Sequence, residues 1–165
     1  MHKLLISLIF VVFAASPTIA KDGLTLEDIS KISSVQSSKI SPNGQWIAFT
    51  KSKPRTPYKD EDGTAWSELY LVETANPENV KPFITGKVSI GRVSWSNDSK
   101  KIFYTAKRND DKKLALYAIA VDGGESQKVL SAKTGIGAYF INHDGAKVVF
   151  IAKPEKAKHL EKLAK

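Results

Sequence analysis

A tight turn that leads directly into a strand occurs three times in this chain, and this repeat constrains the fold more than any other feature. The first copy is residues 40–49 (ISPNGQWIAF). Its Ser-Pro-Asn-Gly segment suits a type I turn, because Pro presets φ, Asn tolerates the third position and Gly accepts positive φ at the fourth. In the strand after the turn, Ile47 and Phe49 fall on one face.

The second and third copies are residues 95–104 (WSNDSKKIFY) and 141–150 (INHDGAKVVF), displaced by 55 and then 46 residues. Each keeps an Asn or Asp followed by Gly or Ser in the turn. Three apolar columns recur: Ile40, Trp95 and Ile141; Ile47, Ile102 and Val148; Phe49, Tyr104 and Phe150. Agreement in both turn chemistry and apolar register indicates a structural repeat.

A second pair of strands follows each of the first two copies. Residues 69–72 (LYLV) match residues 116–119 (LYAI). Each segment is followed by a turn and another short strand; the turns are at 74–79 and 122–124, and the strands at 80–84 and 127–130. Each full repeat therefore contains four short strands, and an insertion at about residues 51–65 lengthens the first.

Periods of roughly 40 to 50 residues with four strands each are typical of β-propeller blades. The sequence predicts an all-β fold, a partial β-propeller with about two complete blades and one incomplete blade. The predicted blades are residues 35–85, 90–131 and 136–153.

Residues 1–20 are predicted to be a secretory signal peptide. Lys3 provides a basic start, residues 4–15 are an apolar run, and cleavage after Ala20 fits the small-x-small rule with Thr18. The apolar run is too short to cross roughly 30 Å of hydrocarbon. We expect a periplasmic or secreted protein that has no membrane span after cleavage.

Residues 21–34 are predicted to be a linker that contains a short helix at 25–32. Thr25 and Asp28 are spaced as in a capping box. The apolar residues of this segment are three apart and form one stripe: Leu26, Ile29 and Ile32. Residues 154–165 are expected to be a charged helical or linker tail.

The charge balance is basic, with 25 Lys and Arg against 17 Asp and Glu and a formal charge of +8. The basic residues are scattered, so we interpret them as a solvated surface and expect no nucleic-acid partner. The absence of cysteine excludes disulfides and thiolate metal sites.

The motif at residues 41–49, Ser-Pro-Asn-Gly-x-Trp-Ile-Ala-Phe, resembles the Ser-Pro-Asp-Gly-x-x-Ile-Ala-Phe blade motif of TolB-type propellers. The same motif occurs in the propeller of prolyl oligopeptidase family serine peptidases. A signal peptide followed by a short helix and a first blade is similar to the exported acylaminoacyl-peptidase and dipeptidyl-peptidase-like branch. Residues 66–72 (WSELYLV) and 121–125 (VDGGE) add to this resemblance, which covers nearly all of the mature chain.

This resemblance implies a propeller that acts as a lid over a C-terminal α/β-hydrolase domain, admitting short peptides as substrates and excluding folded proteins. The Ser-Asp-His triad would lie in that domain, with the Ser on a G-x-S-x-G elbow. We therefore expect this chain to be a fragment that ends before the hydrolase domain and does not hydrolyse peptides alone. The nearest string, residues 86–91 (GKVSIG), has one residue too many before Ser89 and is interpreted as a loop.

No catalytic residue, cofactor ligand or metal ligand is predicted. The three histidines have no partner at triad or ligand spacing; they are His2, His143 and His159. Residues 59–63 (KDEDG) alternate Asp as in a Ca²⁺ loop, but the twelfth position counted from Asp60 is Leu71 rather than an acid. A solvated insertion is the favoured interpretation.

The tryptophans and two arginines are the remaining candidates for contact residues. Trp95 is expected in the core between blades, whereas Trp46 shares its column with Lys101 and Lys147 and is expected to be partly exposed. Trp66 carries no assigned role. Arg55 and Arg92 are candidates for the propeller channel or an interdomain face.

Two alternative hypotheses stay open. One is a periplasmic TolB-like interaction propeller without catalytic activity. The other is a short product that assembles blades from several copies, although unpaired strand edges make this physically unfavourable.

Overall fold

The computed structural model of the protein describes residues 23–155. The predicted signal peptide and residues 156–165 of the predicted tail lie outside the described residues. The described chain forms one short helix and ten strands: α1 (Leu26–Lys31), β1 (Val35–Ile40), β2 (Trp46–Lys53), β3 (Trp66–Glu73), β4 (Asn76–Ile84), β5 (Gly91–Trp95), β6 (Lys101–Ala106), β7 (Ala115–Ala120), β8 (Gln127–Leu130), β9 (Ala138–Ile141) and β10 (Val148–Ile151).

The strands form three antiparallel sheets in chain order. The strand order is β1-β2-β3-β4 in the first sheet, β5-β6-β7-β8 in the second and β9-β10 in the third. We call these sheets blade 1, blade 2 and blade 3. Two four-stranded meanders followed by a two-stranded sheet confirm the predicted all-β partial propeller.

The repeated turn has the same hydrogen bonds in all three copies. In the first copy, the Ser41 amide donates to the Trp46 carbonyl over 2.8 Å, and the Gly44 amide donates to the Ser41 carbonyl over 2.8 Å. The fourth turn residue has positive φ each time: 71° at Gly44, 60° at Ser99 and 74° at Gly145. Gly or Ser in this column therefore reflects one backbone conformation, which glycine adopts most readily.

The first two apolar columns of the sequence pair directly across these turns. The pairs are Ile40 with Ile47, Trp95 with Ile102, and Ile141 with Val148. An identical register in three hairpins places equivalent side chains on equivalent faces of the blades. The repeat found in the sequence is thus a repeat of hairpin register.

The buried core lies between blades rather than within one blade. Ala48 and Leu69 of blade 1 belong to the same buried cluster as Ile102 and Tyr104 of blade 2. Phe103, on the opposite face of blade 2, belongs to a second cluster that includes blade 3 residues. The repeated columns therefore form the face that each blade presents to the blade before it.

Hydrogen bonds between neighbouring turns add to this packing. The Asn43 amide in the first turn donates to Ser99 Oγ in the second, over 3.0 Å. The Asn97 side-chain amide in the second turn donates to the His143 carbonyl in the third. The three turns therefore lie next to one another at one end of the blades.

Two predicted boundaries were wrong. The turn predicted at residues 74–79 is shorter, because β4 begins at Asn76. Pro77 is tolerated inside β4 because this strand is at the edge of its sheet. On the side that faces away from β3, its backbone amides donate to no neighbouring strand, so an amide can be missing there. The predicted insertion at 51–65 is also shorter, because β2 continues to Lys53.

Helix α1 has the predicted capping box. Thr25 Oγ1 accepts from the Asp28 amide over 3.1 Å, and Asp28 Oδ2 accepts from the Thr25 amide over 3.1 Å. Ile29 and Ile32 of the predicted stripe are more than half exposed. The described part of the chain contains no helix that is long and apolar enough to cross a membrane.

Substitution of Gly44 tests the turn conformation. A Cβ at Gly44 would meet no atom within 4 Å, so Gly44→Ala would cost only the penalty of a left-handed backbone. We expect Gly44→Ala to lower the free energy of unfolding by roughly 1 kcal/mol in urea denaturation. Gly23→Ala is the control, because Gly23 also has open space but no positive φ. An equal effect of the two substitutions would contradict the turn assignment.

Candidate functional site

The first strands of the three blades form one wall. Strand β1 contacts β5, and Tyr139 of β9 forms a hydrogen bond to the backbone of β5. In a propeller the blades surround a central channel, and this wall is the part of the channel that the described residues form. An open cleft of about 400 Å³ lies along it and includes Ser37, Lys39, Arg92, Ser94, Tyr139 and Phe140 in its lining.

Two side chains fix the spacing of these strands. Trp95 Nε1 donates to the Lys39 carbonyl over 2.9 Å, which joins β5 to β1. The Tyr139 hydroxyl donates to the Arg92 carbonyl over 2.6 Å and lies 2.9 Å from Ser94 Oγ, which joins β9 to β5. Burial raises the pKa of Tyr139 to about 12, so this hydroxyl keeps its proton at neutral pH.

Arg92 is the predicted arginine that lies on the channel wall. Its φ is +42°, a left-handed conformation that is uncommon for residues other than glycine. The pairing of β5 with β6 changes register between Gly91 and Ser94, on either side of Arg92. The Arg92 side chain is exposed. The sequence identified this residue as a candidate but contained no signal for its backbone conformation.

The charge along the wall is positive. Lys39 and Arg92 are both exposed, and neither forms an ion pair with a carboxylate of the described residues. No Asp or Glu contributes to the lining of the cleft. The arrangement is suited to an anion, because an arginine fork pairs with planar oxyanions and a lysine adds a second cation.

Arg55 is not on this wall. Its guanidinium lies 3.8 Å from the centre of the Trp66 ring and donates to the carbonyls of Thr64 and Glu61, over 2.8 and 2.9 Å. Cation–π and hydrogen-bond contacts of this kind hold a loop in one shape. The structure therefore gives Arg55 and Trp66 a role in folding the 54–65 connection.

The other two tryptophans lie at blade boundaries. Trp95 is half-buried against the cluster between blades 1 and 2, as predicted. Trp46 is also half-buried against that cluster, and the Lys81 ammonium lies 5.2 Å from its ring centre. Neither lines the channel cleft, so the structure does not add a stacking platform to the wall.

The other candidates are in turns and connections. Ser89 is exposed and forms a parallel bridge with Ser67, in the connection between β4 and β5. His143 is exposed, and its backbone carbonyl accepts from Asn97. His2 and His159 lie outside the described residues.

In the acidic loop at 59–63, the Asp60 carboxylate is bonded within the fold. Asp60 Oδ2 accepts from the Thr56 amide over 2.9 Å, and Asp60 Oδ1 lies 3.0 Å from the Lys87 ammonium. Residues 23–155 contain no group of three or more His, Asp or Glu side chains placed to hold a metal ion. Asp60 therefore links the insertion to the connection between blades 1 and 2.

Sequence reasoning missed a buried carboxylate. Glu68 is buried and accepts from the Gly86 amide over 2.8 Å, from the Tyr70 hydroxyl over 2.8 Å and from Lys53 over 3.3 Å. Burial acts to raise the pKa of Glu68, but these hydrogen bonds outweigh it and hold the pKa below its ordinary value of 4.5. Strand alternation predicts that Glu68 shares a face with Tyr70, but the Gly86 contact depends on the tertiary structure.

Blade 2 contains a comparable polar cluster. Asp111 accepts from the Lys128 ammonium over 2.5 Å and from the Tyr117 hydroxyl. The Lys128 bond is the main cause that lowers the pKa of Asp111. Tyr117 stacks on Tyr104 as Tyr70 stacks on Phe49, so a stacked aromatic pair recurs in both blades.

Comparison with known proteins gives distant similarities. No protein-family model matches the chain. Over 126 residues, 76% of this chain, it is 25% identical to the uncharacterized peptidase YuxL of Bacillus subtilis (strain 168) and spans 18% of that protein.

Two solved structures resemble the fold. TolB from Acinetobacter baumannii superposes with a TM-score of 0.53 and 17% identity, covering 73% of this chain and 27% of that one. The putative TolB from Agrobacterium tumefaciens superposes with a TM-score of 0.53 and 17% identity. This match covers 74% of this chain and 41% of that one. These structures support the propeller fold, and the chain spans less than half the length of each relative.

The pH dependence of stability tests the role of Glu68. Because the folded-state pKa of Glu68 is lowered, its carboxylate contributes to the free energy of unfolding above pH 4.5. This contribution is lost as the pH falls below 4.5 through the lowered pKa. We expect Glu68→Gln to be less stable than the parent at pH 7 and to lose less stability on acidification, as measured by urea denaturation at several pH values. Glu155→Gln is the control, because Glu155 is 63% exposed and pairs with the exposed Lys133. An unchanged acid dependence in Glu68→Gln would contradict the assignment.

Proposed function

We propose that this chain is the non-catalytic, substrate-gating propeller portion of an exported serine peptidase that hydrolyses short peptides. The observation that carries the proposal is the 25% identity to a peptidase over 126 residues. The blade motif at residues 41–49 agrees with it, because this motif, which resembles that of TolB-type propellers, also occurs in the propeller of prolyl oligopeptidase family peptidases.

The proposed division of labour places bond cleavage outside the described chain. Residues 23–155 contain one histidine, His143, which is exposed in a turn. A serine triad needs a histidine within hydrogen-bond reach of the nucleophile. In this proposal the nucleophile, histidine and aspartate belong to a hydrolase domain of a longer protein. The propeller would select and position the peptide.

We propose that the protein is exported to the periplasm or secreted. The basic start, the apolar run and the small residues before Lys21 support cleavage after Ala20.

A periplasmic TolB-like interaction propeller is the second candidate. The TM-scores of 0.53 to two TolB structures favour it. The two candidates differ in the part of the protein downstream of the propeller: the first requires a hydrolase domain there, whereas the second requires further blades only.

The complete reading frame separates these candidates. We expect DNA beyond Lys165 to encode a G-x-S-x-G segment, and the complete protein to be recovered from the periplasm of a Gram-negative host and to hydrolyse short chromogenic peptides. Alanine at the Ser of that segment should abolish hydrolysis, whereas the 165-residue chain alone should have no activity. Ser89→Ala in the complete protein is the matched control and should leave kcat/KM within about twofold, because Ser89 lies in a connection. Further blades followed by a stop codon would overturn the peptidase proposal and favour the interaction propeller.

A further inference from the structure

We propose that the cleft along the first strands of the three blades binds the terminal carboxylate of a short peptide, with Arg92 and Lys39 as its cationic ligands. The identity of the ligand as a peptide rests on the proposed function. The existence of an anion site rests on the geometry of the wall alone.

The backbone at Arg92 is the first line of support. A non-glycine residue with φ of +42° is strained, and such residues persist where the surrounding structure imposes them. A register change in a strand pair redirects a side chain out of the regular alternation. Here the register of β5 on β6 changes between Gly91 and Ser94, the interval that contains Arg92. The strain is thus located at an exposed arginine of the cleft lining.

The charge of the lining is the second line of support. Arg92 and Lys39 come from different blades and line the same cleft, and no carboxylate of the described residues neutralises either one. Two cations in one cleft lining attract an anion more strongly than either does alone. The residues that hold the strands in place use backbone carbonyls and hydroxyls, so the guanidinium is left available for a ligand.

The mixed polarity of the lining favours a carboxylate over a free phosphate. Both groups pair with an arginine fork. Phe140 in the same lining is 69% exposed, which offers an apolar surface beside the two cations. A singly charged carboxylate on an apolar residue matches this combination better than free phosphate, which has no apolar part.

The substitution Arg92→Gly removes the proposed cationic ligand and keeps the backbone conformation of β5. Glycine adopts φ of +42° without strain and retains the carbonyl that accepts from Tyr139. The guanidinium has no hydrogen bond or ion pair to the described residues, so its removal breaks no polar contact among them. The variant should therefore melt at the same temperature as the parent or at a higher one.

Binding is measured by isothermal titration of the full chain with N-acetyl-Ala-Ala-Phe acid, with its C-terminal amide and with inorganic phosphate. We expect the acid to bind, and the amide and phosphate to bind at least about tenfold more weakly. Arg92→Gly should weaken acid binding by about tenfold or more, and Lys39→Gln by a smaller factor. Lys100→Ala is the control: Lys100 is exposed in the second turn outside the cleft, so this variant should bind as the parent does.

The proposal is overturned if the acid does not bind, if Arg92→Gly binds as the parent does, or if the amide or phosphate binds as tightly as the acid. An equal loss of affinity in Lys100→Ala would also overturn it, because net charge would then account for binding. Arg92-dependent binding in a protein whose downstream sequence has no G-x-S-x-G would overturn the peptidase function and leave the carboxylate site standing.

Discussion

The packing of each blade on the blade before it is the interaction on which the rest of the structure depends. Equivalent positions of the repeat show this directly: Ile102 in blade 2 has no exposed surface, whereas Ile47 in blade 1 is only half-buried. The side chains have the same character and the same hairpin register, and the difference is the neighbouring blade. Since apolar burial is the main favourable term in folding, the stability of a blade comes largely from its neighbours.

The candidate site depends on the same packing. Every residue of β1 is exposed, so this strand has no buried core of its own. Its position next to β5 is set by the Trp95 hydrogen bond and by the cluster between blades 1 and 2. The Tyr139 hydroxyl, which donates to the Arg92 carbonyl, joins β9 to β5 in the same way. The cleft is therefore a property of the assembled blades, and each of its two cations comes from a different blade.

The sequence predicted the propeller because its turns and apolar columns are local and repeated. Gly44, Ser99 and Gly145 indicate one turn conformation, and the apolar columns indicate the register of each hairpin. The start of β4 at Asn76 could not be predicted, because Pro77 argues against a strand unless the strand is known to be an edge. The contacts of Arg55 and Glu68 could not be predicted for another reason. Arg55 bonds inside an irregular connection that has no periodic sequence pattern, and the Gly86 partner of Glu68 lies 18 residues away. Arg92 was identified, but its strained conformation was not.

Native-state hydrogen exchange, measured strand by strand, tests the dependence on neighbouring blades most directly. Strand pairs β2–β3 and β6–β7 are the inner pairs of their sheets, but only the second pair has buried clusters on both faces. Strands β2 and β3 are the longer pair, so local strand length alone predicts slower exchange there. We expect the amides of β6 and β7 to exchange more slowly, because opening them breaks both interfaces. Equal or slower exchange in β2 and β3 would contradict the account.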